Sequence, residues 1–285
     1  MTETRLRILV LGDIVGRPGR EAVTEFVPKL REAWGIDAVL ANAENVAAGS
    51  GITRPLFRTL AASGVDLMTL GDHTWKRKEN LEVLEHEPRC LRPHNYPDEA
   101  SGTGAAVIEL ADGHKLGFVT VLGRIFMGGT DCPFKSVDRA LAAFPEDVKL
   151  RIVEIHAEAT SEKIAVGWHL DGRVTCVFGT HTHVPTADER LLPKGTAYVT
   201  DLGMTGPYNG VIGRDAGAVL HKFITSMHAP FTVAGDNAHL CGILVDADPA
   251  TGRALAIRRV DICAAANGVA HGPYPPLRSV DDLTR

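Results

Sequence analysis

Cysteine is scarce in this chain. Its five cysteines (Cys90, Cys132, Cys176, Cys241, Cys263) are scattered and form no CxxC pair, which excludes a disulfide scaffold and a thiolate zinc site. Positive charge is also short: 30 Lys plus Arg face 35 Asp plus Glu, for a net charge of -5. No basic field exists to hold a long nucleic acid by phosphate neutralisation. A compact anionic substrate remains compatible with this balance if bound metal ions supply the missing charge. No apolar run reaches membrane-spanning length, and Met1 to Arg5 leads into a strand-like run with no signal-like segment. A soluble protein of a reducing cytoplasm, with no membrane partner, is the expectation. No repeat, low-complexity tract or clear linker divides the chain, so residues 1–285 are expected as one domain with an irregular tail at 271–285.

What is present is 285 residues with 45% apolar and 23% charged side chains, enough for a sizeable core. The first half repeats strand, polar loop and helix three times. Leu6 to Leu11 is a buried-strand run ending at Gly12-Asp13, followed by a helix pattern from Pro18 to about Trp34 that stops at Gly35. Ala38 to Ala41 ends at Asn42-Ala43-Glu44-Asn45, and Thr53 caps a helix from Pro55 to Gly64. Val65 to Leu70 ends at Gly71-Asp72-His73, and a charged helix runs from about Lys76 to His86. Such alternation predicts parallel strands joined by crossover helices.

The middle adds a hairpin, Ala105 to Leu110 and Lys115 to Val121 around Asp112-Gly113. A glycine-rich loop over 123–135 and a short helix from Val137 to Phe144 come next. Leu150 to Ile155 is a strand closing at His156, Ala159 to Val166 reads as helix, and Val174 to Phe178 is a strand closing at Gly179-Thr180-His181-Thr182-His183. In the last third, Thr196 to Thr200, Ala218 to Thr225, Leu240 to Asp246 and Ala254 to Asp261 all read as strands. The predicted class is α/β, with two stacked sheets, the first largely parallel and the second mixed, and helices outside.

The chemistry sits at strand ends. Five strand-like runs finish in an acid, amide or histidine: Asp13, Glu44 with Asn45, Asp72 with His73, His156, and His181 with His183. Each alone could be a cap or a turn residue. Together they matter, because ligand sites in α/β sheets form at the carboxyl ends of strands. His181 and His183, two apart in an extended segment, would point the same way and reach one centre. Oxygen and imidazole donors without thiolate suit Fe, Mn, Zn, Co or Ni. They exceed one tetrahedral shell, and a carboxylate shared between two ions would use them all. A dinucleotide fold is a poor match, since the spacing is Gly12-x-x-x-Gly16-x-x-Gly19, and no P-loop lysine follows.

In order along the chain, Gly12-Asp13-Ile14-Val15-Gly16-Arg17-Pro18-Gly19, Asn42-Ala43-Glu44-Asn45, Gly71-Asp72-His73-Thr74-Trp75, Arg92-Pro93-His94-Asn95-Tyr96-Pro97, His156-Ala157-Glu158 and Gly179-Thr180-His181-Thr182-His183 form a specific set. With these the sequence resembles the calcineurin-like metallophosphoesterases, in their small bacterial YmdB-like branch, over almost its whole length. The resemblance implies a four-layer α/β/β/α sandwich of two mixed sheets and a phosphodiesterase acting on small phosphodiesters such as 2′,3′-cyclic nucleotides. It implies two divalent or trivalent ions per chain, iron first and manganese next. Asp13 and His183 would hold one ion with Asn45 beside it, Asp72, His156 and His181 the other, and Glu44 would bridge. His73 would protonate the leaving oxygen. Two residues depart from the family pattern: Asp72 stands where Asn is usual, and Lys76 where an acid is usual.

Glu158 is a candidate outer partner for a ligand histidine. Arg17, Asn95, the loop Gly128-Gly129-Thr130 and Tyr208 are candidates for substrate contact. A phosphomonoesterase and a regulatory protein binding nucleotides or RNA ends with little turnover are the alternatives. An exposed edge of the second sheet could support a homo-oligomer.

Overall fold

The structure, a computed structural model, describes residues 5–263, so the tail expected to be irregular lies outside it. Its elements in chain order are β1 (Leu6–Leu11), β2 (Asp13–Ile14), α1 (Gly16–Trp34), β3 (Ala38–Asn42), α2 (Arg54–Ala62), β4 (Leu67–Thr69), α3 (Lys78–His86), β5 (Cys90–Leu91), β6 (Ala105–Glu109), β7 (Lys115–Leu122) and α4 (Pro133–Ala143). There follow β8 (Leu150–His156), α5 (Thr160–Leu170), β9 (Cys176–Thr180), β10 (Arg190–Leu191), β11 (Ala197–Val199), β12 (Met204–Pro207), α6 (Ala216–Thr225), β13 (Ala238–Ala247) and β14 (Ala254–Cys263). A single 3-10 turn, Asp72–Trp75, sits between β4 and α3.

Two mixed sheets stack with helices on both outer sides. The first has the order β2-β12-β13-β1-β3-β4-β5, with β14 paired to β13; the second runs β10-β11-β9-β8-β7-β6. In the first sheet β1, β3, β4 and β5 are parallel, as the repeated strand–helix pattern predicts. The last-third strands do not form a sheet of their own. β13 lies antiparallel against β1, and β11 joins the second sheet beside β9.

Period-two alternation explains the layering. In β1, Leu9 and Leu11 pack under α1 and α2, whereas Leu6, Ile8 and Val10 face the second sheet. The inter-sheet layer receives Phe118, Ile152 and Phe178 from the other side, and Val119, Val153 and Val177 pack outward under α4 and α5. Both faces of each central strand are covered, so these strands read as continuous apolar runs rather than alternating ones. The result is the four-layer sandwich that the family resemblance implies.

One predicted element is wrong. The strand expected at Ala218 to Thr225 is the helix α6. Asp215 caps it by accepting from the Ala218 N–H at 3.1 Å, and that cap outweighs the few β-branched residues that suggested a strand. The helix lies on the surface with only Val219 buried, so its apolar residues have no sheet face to alternate against. Two boundaries also move: the first turn of α4 takes in Pro133 to Ser136, most of which the sequence places in the glycine-rich loop, and α3 begins at Lys78 after the separate turn.

Candidate metal centre

The carboxyl ends of β3, β4, β8 and β9 converge at one place, and β2 brings Asp13 to it. The donors divide by sheet. Asp13, Glu44, Asn45, Asp72 and His73 come from the first sheet and the loops that leave it, and His156, His181 and His183 from the second. Ligand atoms of Glu44, Asp72, His156 and His181 all lie within 4.8 Å of one another. His156 Nε2 is 3.2 Å from Glu44 Oε1 and 3.1 Å from Asp72 Oδ1, and His181 Nδ1 is 3.2 Å from Asp72 Oδ1. Two donors each about 2.1 Å from one cation and at right angles stand about 3 Å apart, so this spacing suits a shared ion.

A second group stands beside the first. His183 Nε2 is 3.2 Å from Asn45 Nδ2 and 3.7 Å from Asp13 Oδ1. Asp13 Oδ2 accepts from the His181 N–H, whereas Asp13 Oδ1 is fully buried and has no hydrogen-bond partner. A buried carboxylate oxygen with no donor is costly unless a cation offsets it, and this orphaned atom is where one would fit. Glu44 lies between the groups. Its Oε2 accepts from Gly71 N–H at 2.7 Å and His73 N–H at 3.0 Å, which fixes the plane and presents Oε1 to both sides. Oε1 is 3.3 Å from Asn45 Nδ2 and 3.2 Å from His156 Nε2.

The sequence argument for His181 and His183 fails in its geometry. The segment is not extended: both residues have positive φ, 96° at His181 and 62° at His183. The chain turns between them and sends His181 to the Asp72 side and His183 to the Asp13 side. The two imidazoles therefore serve two groups, not one.

Each imidazole is aimed by its other nitrogen, as ligating histidines usually are. His156 Nδ1 lies 2.9 Å from Thr180 Oγ1, His183 Nδ1–H donates to Ile212 C=O at 3.0 Å, and His181 Nε2 faces Glu158 Oε2 at 3.3 Å. Gly71 is required where it stands, since a Cβ there would collide with the His156 ring. Burial alone would raise the Asp13 and Asp72 carboxyls, but their pairing with His183 and with His156 and His181 outweighs it and holds both below the usual carboxylate range. Glu44 is lowered in the same sense, against its burial, chiefly by His156. His156 is pushed up despite its burial, mainly by Glu44.

His73 stands next to these groups. Its Nδ1 is 3.0 Å from Asn45 Oδ1, and its Nε2 is 3.8 Å from Asp72 Oδ2. Asp13, Glu44 and His156 are sealed from solvent, whereas the side chains of Asp72 and His73 are 34% and 25% exposed. The centre thus opens over the Asp72–Trp75 turn.

Several expected substrate contacts lie elsewhere. Tyr208 donates to Met204 C=O at 3.0 Å and packs on His239, so it is part of the fold. The Asn95 amide pins the 122–131 loop by donating to Leu122 C=O, Thr130 Oγ1 and Asp131 C=O. Arg17 pairs with Glu21 on an exposed helix face, and Lys76 is exposed. The sequence reading missed Lys163 and Asp201, whose buried ion pair at 2.6 Å braces the histidine segment; nothing local in the sequence marks it. It also missed a buried His239, Cys241 and Asp261 group between β13 and β14, in which His239 Nδ1 and Asp261 Oδ1 already pair at 2.5 Å.

Comparison with known proteins follows the same lines. The family model described as YmdB-like protein matches residues 9–260. A 2′,3′-cyclic-nucleotide 2′-phosphodiesterase of Bacillus subtilis (strain 168) is 43% identical over 255 residues, 90% of this chain and 96% of that protein. Among solved structures, a hypothetical protein from Thermus thermophilus is similar at TM-score 0.85 and 43% identity, covering 90% of this chain and 99% of that one. A phosphatase from Mycoplasma pneumoniae is similar at TM-score 0.86 and 33% identity, covering 92% and 95%.

Proposed function

The chain belongs to the YmdB-like family, and from that premise we propose that it is a metal-dependent phosphodiesterase whose substrates are small phosphodiesters, 2′,3′-cyclic nucleotides first among them. The observation that carries this is the convergence of buried acids from one sheet and imidazoles from the other around Glu44 Oε1, with Asp13 Oδ1 left without a donor. Asp13 and His183 would hold one cation with Asn45 beside it, Asp72, His156 and His181 a second, and Glu44 would serve both. The oxygen and imidazole set suits iron or manganese. Bound cations would offset the charge on phosphoryl oxygens and make water a competent nucleophile at neutral pH.

The chain's own residues supply the rest. The sealed walls at Asp13, Glu44 and His156 keep bulk water from the buried side, and the open side admits an anionic diester. His73 Nδ1–H donates to Asn45 Oδ1, which fixes the ring and leaves Nε2 facing the partly exposed Asp72 carboxylate. From there Nε2–H can pass a proton to the departing ribose oxygen. A neutral imidazole has no proton at Nε2 once Nδ1 carries it, so His73 must enter the cycle charged, with Asp72 Oδ2 as the carboxylate 3.8 Å from that nitrogen.

The test measures metal content and hydrolysis on one preparation, using 2′,3′-cyclic nucleotides, linear dinucleotides and phosphomonoesters. About two ions per chain and preference for the cyclic diesters are expected. Turnover that survives complete metal removal would end this reading, and preference for monoesters would make the protein a phosphatase.

A further inference from the structure

We propose that Trp75, braced by Tyr96, is the wall on which the substrate's base stacks, which makes this pair the residues that distinguish nucleotides from other small phosphodiesters. This rests on the phosphodiesterase reading above and adds to it the recognition of the base, which stays attached through the ribose when the cyclic phosphate opens.

The argument begins with the turn. Asp72–Trp75 is one turn of 3-10 helix, in which side chains at i and i+3 eclipse. Asp72 and Trp75 therefore project from the same face, separated along it by about 6 Å from three rises of about 2 Å. Asp72 is at the centre, 3.1 Å from His156 Nε2. Trp75 is thus placed beside the centre by the same turn, on its open side. That turn is rigid, because the buried Asn80 amide donates to both His73 C=O and Thr74 C=O at 2.9 Å and Thr74 Oγ1 donates to Gly71 C=O at 2.7 Å.

The indole is 42% exposed; Trp168 is more open at 54%, but it sits on α5, whereas Trp75 shares its turn with Asp72. Tyr96 meets it edge-on, with centroids 5.3 Å apart and planes at 63°. That contact holds the indole in place while leaving ring surface open to a third partner. Tyr96 joins the same rim through this ring contact with Trp75. In a 2′,3′-cyclic nucleotide the base hangs from C1′, adjacent to the carbon that carries a phosphate oxygen. A phosphate at the centre and a base one ribose away match the spacing from Asp72 to Trp75. The other aromatic candidate, Tyr208, is committed to Met204 and Cys241. Stacking tolerates any base, so purines, with the larger face, should be favoured over pyrimidines.

The experiment compares wild type, Trp75→Ala and Trp75→Phe on 2′,3′-cyclic AMP and on the base-free methyl riboside 2′,3′-cyclic phosphate, with metal content measured on each. The ratio of kcat/KM for the nucleotide to that for the base-free ester should fall roughly 5- to 100-fold in Trp75→Ala. The loss should sit mostly in KM, with metal content kept and Trp75→Phe recovering most of the ratio. A second readout needs no turnover: adenosine 3′-monophosphate should quench tryptophan emission in wild type and not in Trp75→Phe, and ribose 3-phosphate should quench neither. Equal losses on both esters, or quenching that survives in Trp75→Phe, would overturn the proposal. Wild type that hydrolyses neither ester would instead overturn the phosphodiesterase reading, and the emission arm would still decide the stack.

Discussion

Single side chains at the centre make separable predictions. His73 borders both donor groups but stands outside the proposed ligand set, 3.0 Å from Asn45 Oδ1 and 3.8 Å from Asp72 Oδ2, so His73→Ala should keep its metal and lose roughly 100- to 10,000-fold in turnover. Glu44 lies between both groups, and Glu44→Ala should lose metal and turnover together. Elemental analysis beside a rate assay separates the two, and loss of metal from His73→Ala would move that residue among the ligands. Asp72 tests a different trade. It is the carboxylate on the open side, at the position where the family resemblance leads one to expect an amide. Asp72→Asn removes one negative charge, so cations should be stripped by lower chelator concentrations, while turnover per retained ion rises because each is less neutralised. Metal retention across a chelator series, with rates normalised to metal, reads both effects; unchanged retention would show that the extra charge is idle.

Positions of donors along the chain were legible, but how the chain delivers them was not. The strand-end rule places Asp13, Glu44, Asp72, His156 and His181 together because parallel strands share a direction, and that is a property of the repeated pattern. The spacing argument for His183 fails, since positive φ at two histidines leaves no mark in a sequence, whereas the family resemblance sets it beside Asp13, where it lies. The two-residue strands β2 and β5 and the helix α6 were also invisible, being set by partners far away or by one cap rather than by periodicity. Most hidden was the brace on the histidine segment. Lys163 on α5 is fully buried and donates to Asp201 Oδ2 at 2.6 Å and to Thr180 C=O at 2.7 Å. Asp201 in turn accepts from Thr182 Oγ1 at 2.8 Å and Thr182 N–H at 3.2 Å, between the two histidines. Removing one partner of a buried pair leaves the other charge uncompensated. Lys163→Met should therefore cost about 3–5 kcal/mol, a fall in Tm of roughly 6–20 °C. The double variant with Asp201→Asn should recover part of it. A thermal unfolding cycle checks this, and a loss below about 1 kcal/mol would mean that the pair is solvated and the loop is held otherwise.

The division of donors between sheets sets how the protein responds to pH and to metal. Asp13, Glu44 and Asp72 come from the first sheet and His156, His181 and His183 from the second, so the layers meet at this end through acids on one side and imidazoles on the other. In metal-free protein, burial disfavours the charged forms of His156 and His183, yet Glu44 and Asp13 outweigh it and raise both pKa values. A raised histidine contributes stability that is complete below its unfolded value of about 6.5 and is lost as pH rises through its folded value. The depressed carboxyls of Asp13, Glu44 and Asp72 contribute in the opposite sense: their share is present above the unfolded value of about 4 and is lost as pH falls through the folded values. Metal-free protein should therefore be most stable on the acid side of neutral, where acids are ionised and imidazoles charged. Above it, buried carboxylates lose their counter-charge. Cations replace that charge and compete with the protons, so the stabilisation from metal should grow with pH. Free cation at 1,000 times its Kd adds about 4 kcal/mol. Thermal unfolding with and without chelator should show a gap in Tm that is small near pH 5.5 and widens toward pH 8.5. A gap that is constant across this range would mean that the sheets are not joined through these charges, and one that narrows would reverse the assignment of protonation states.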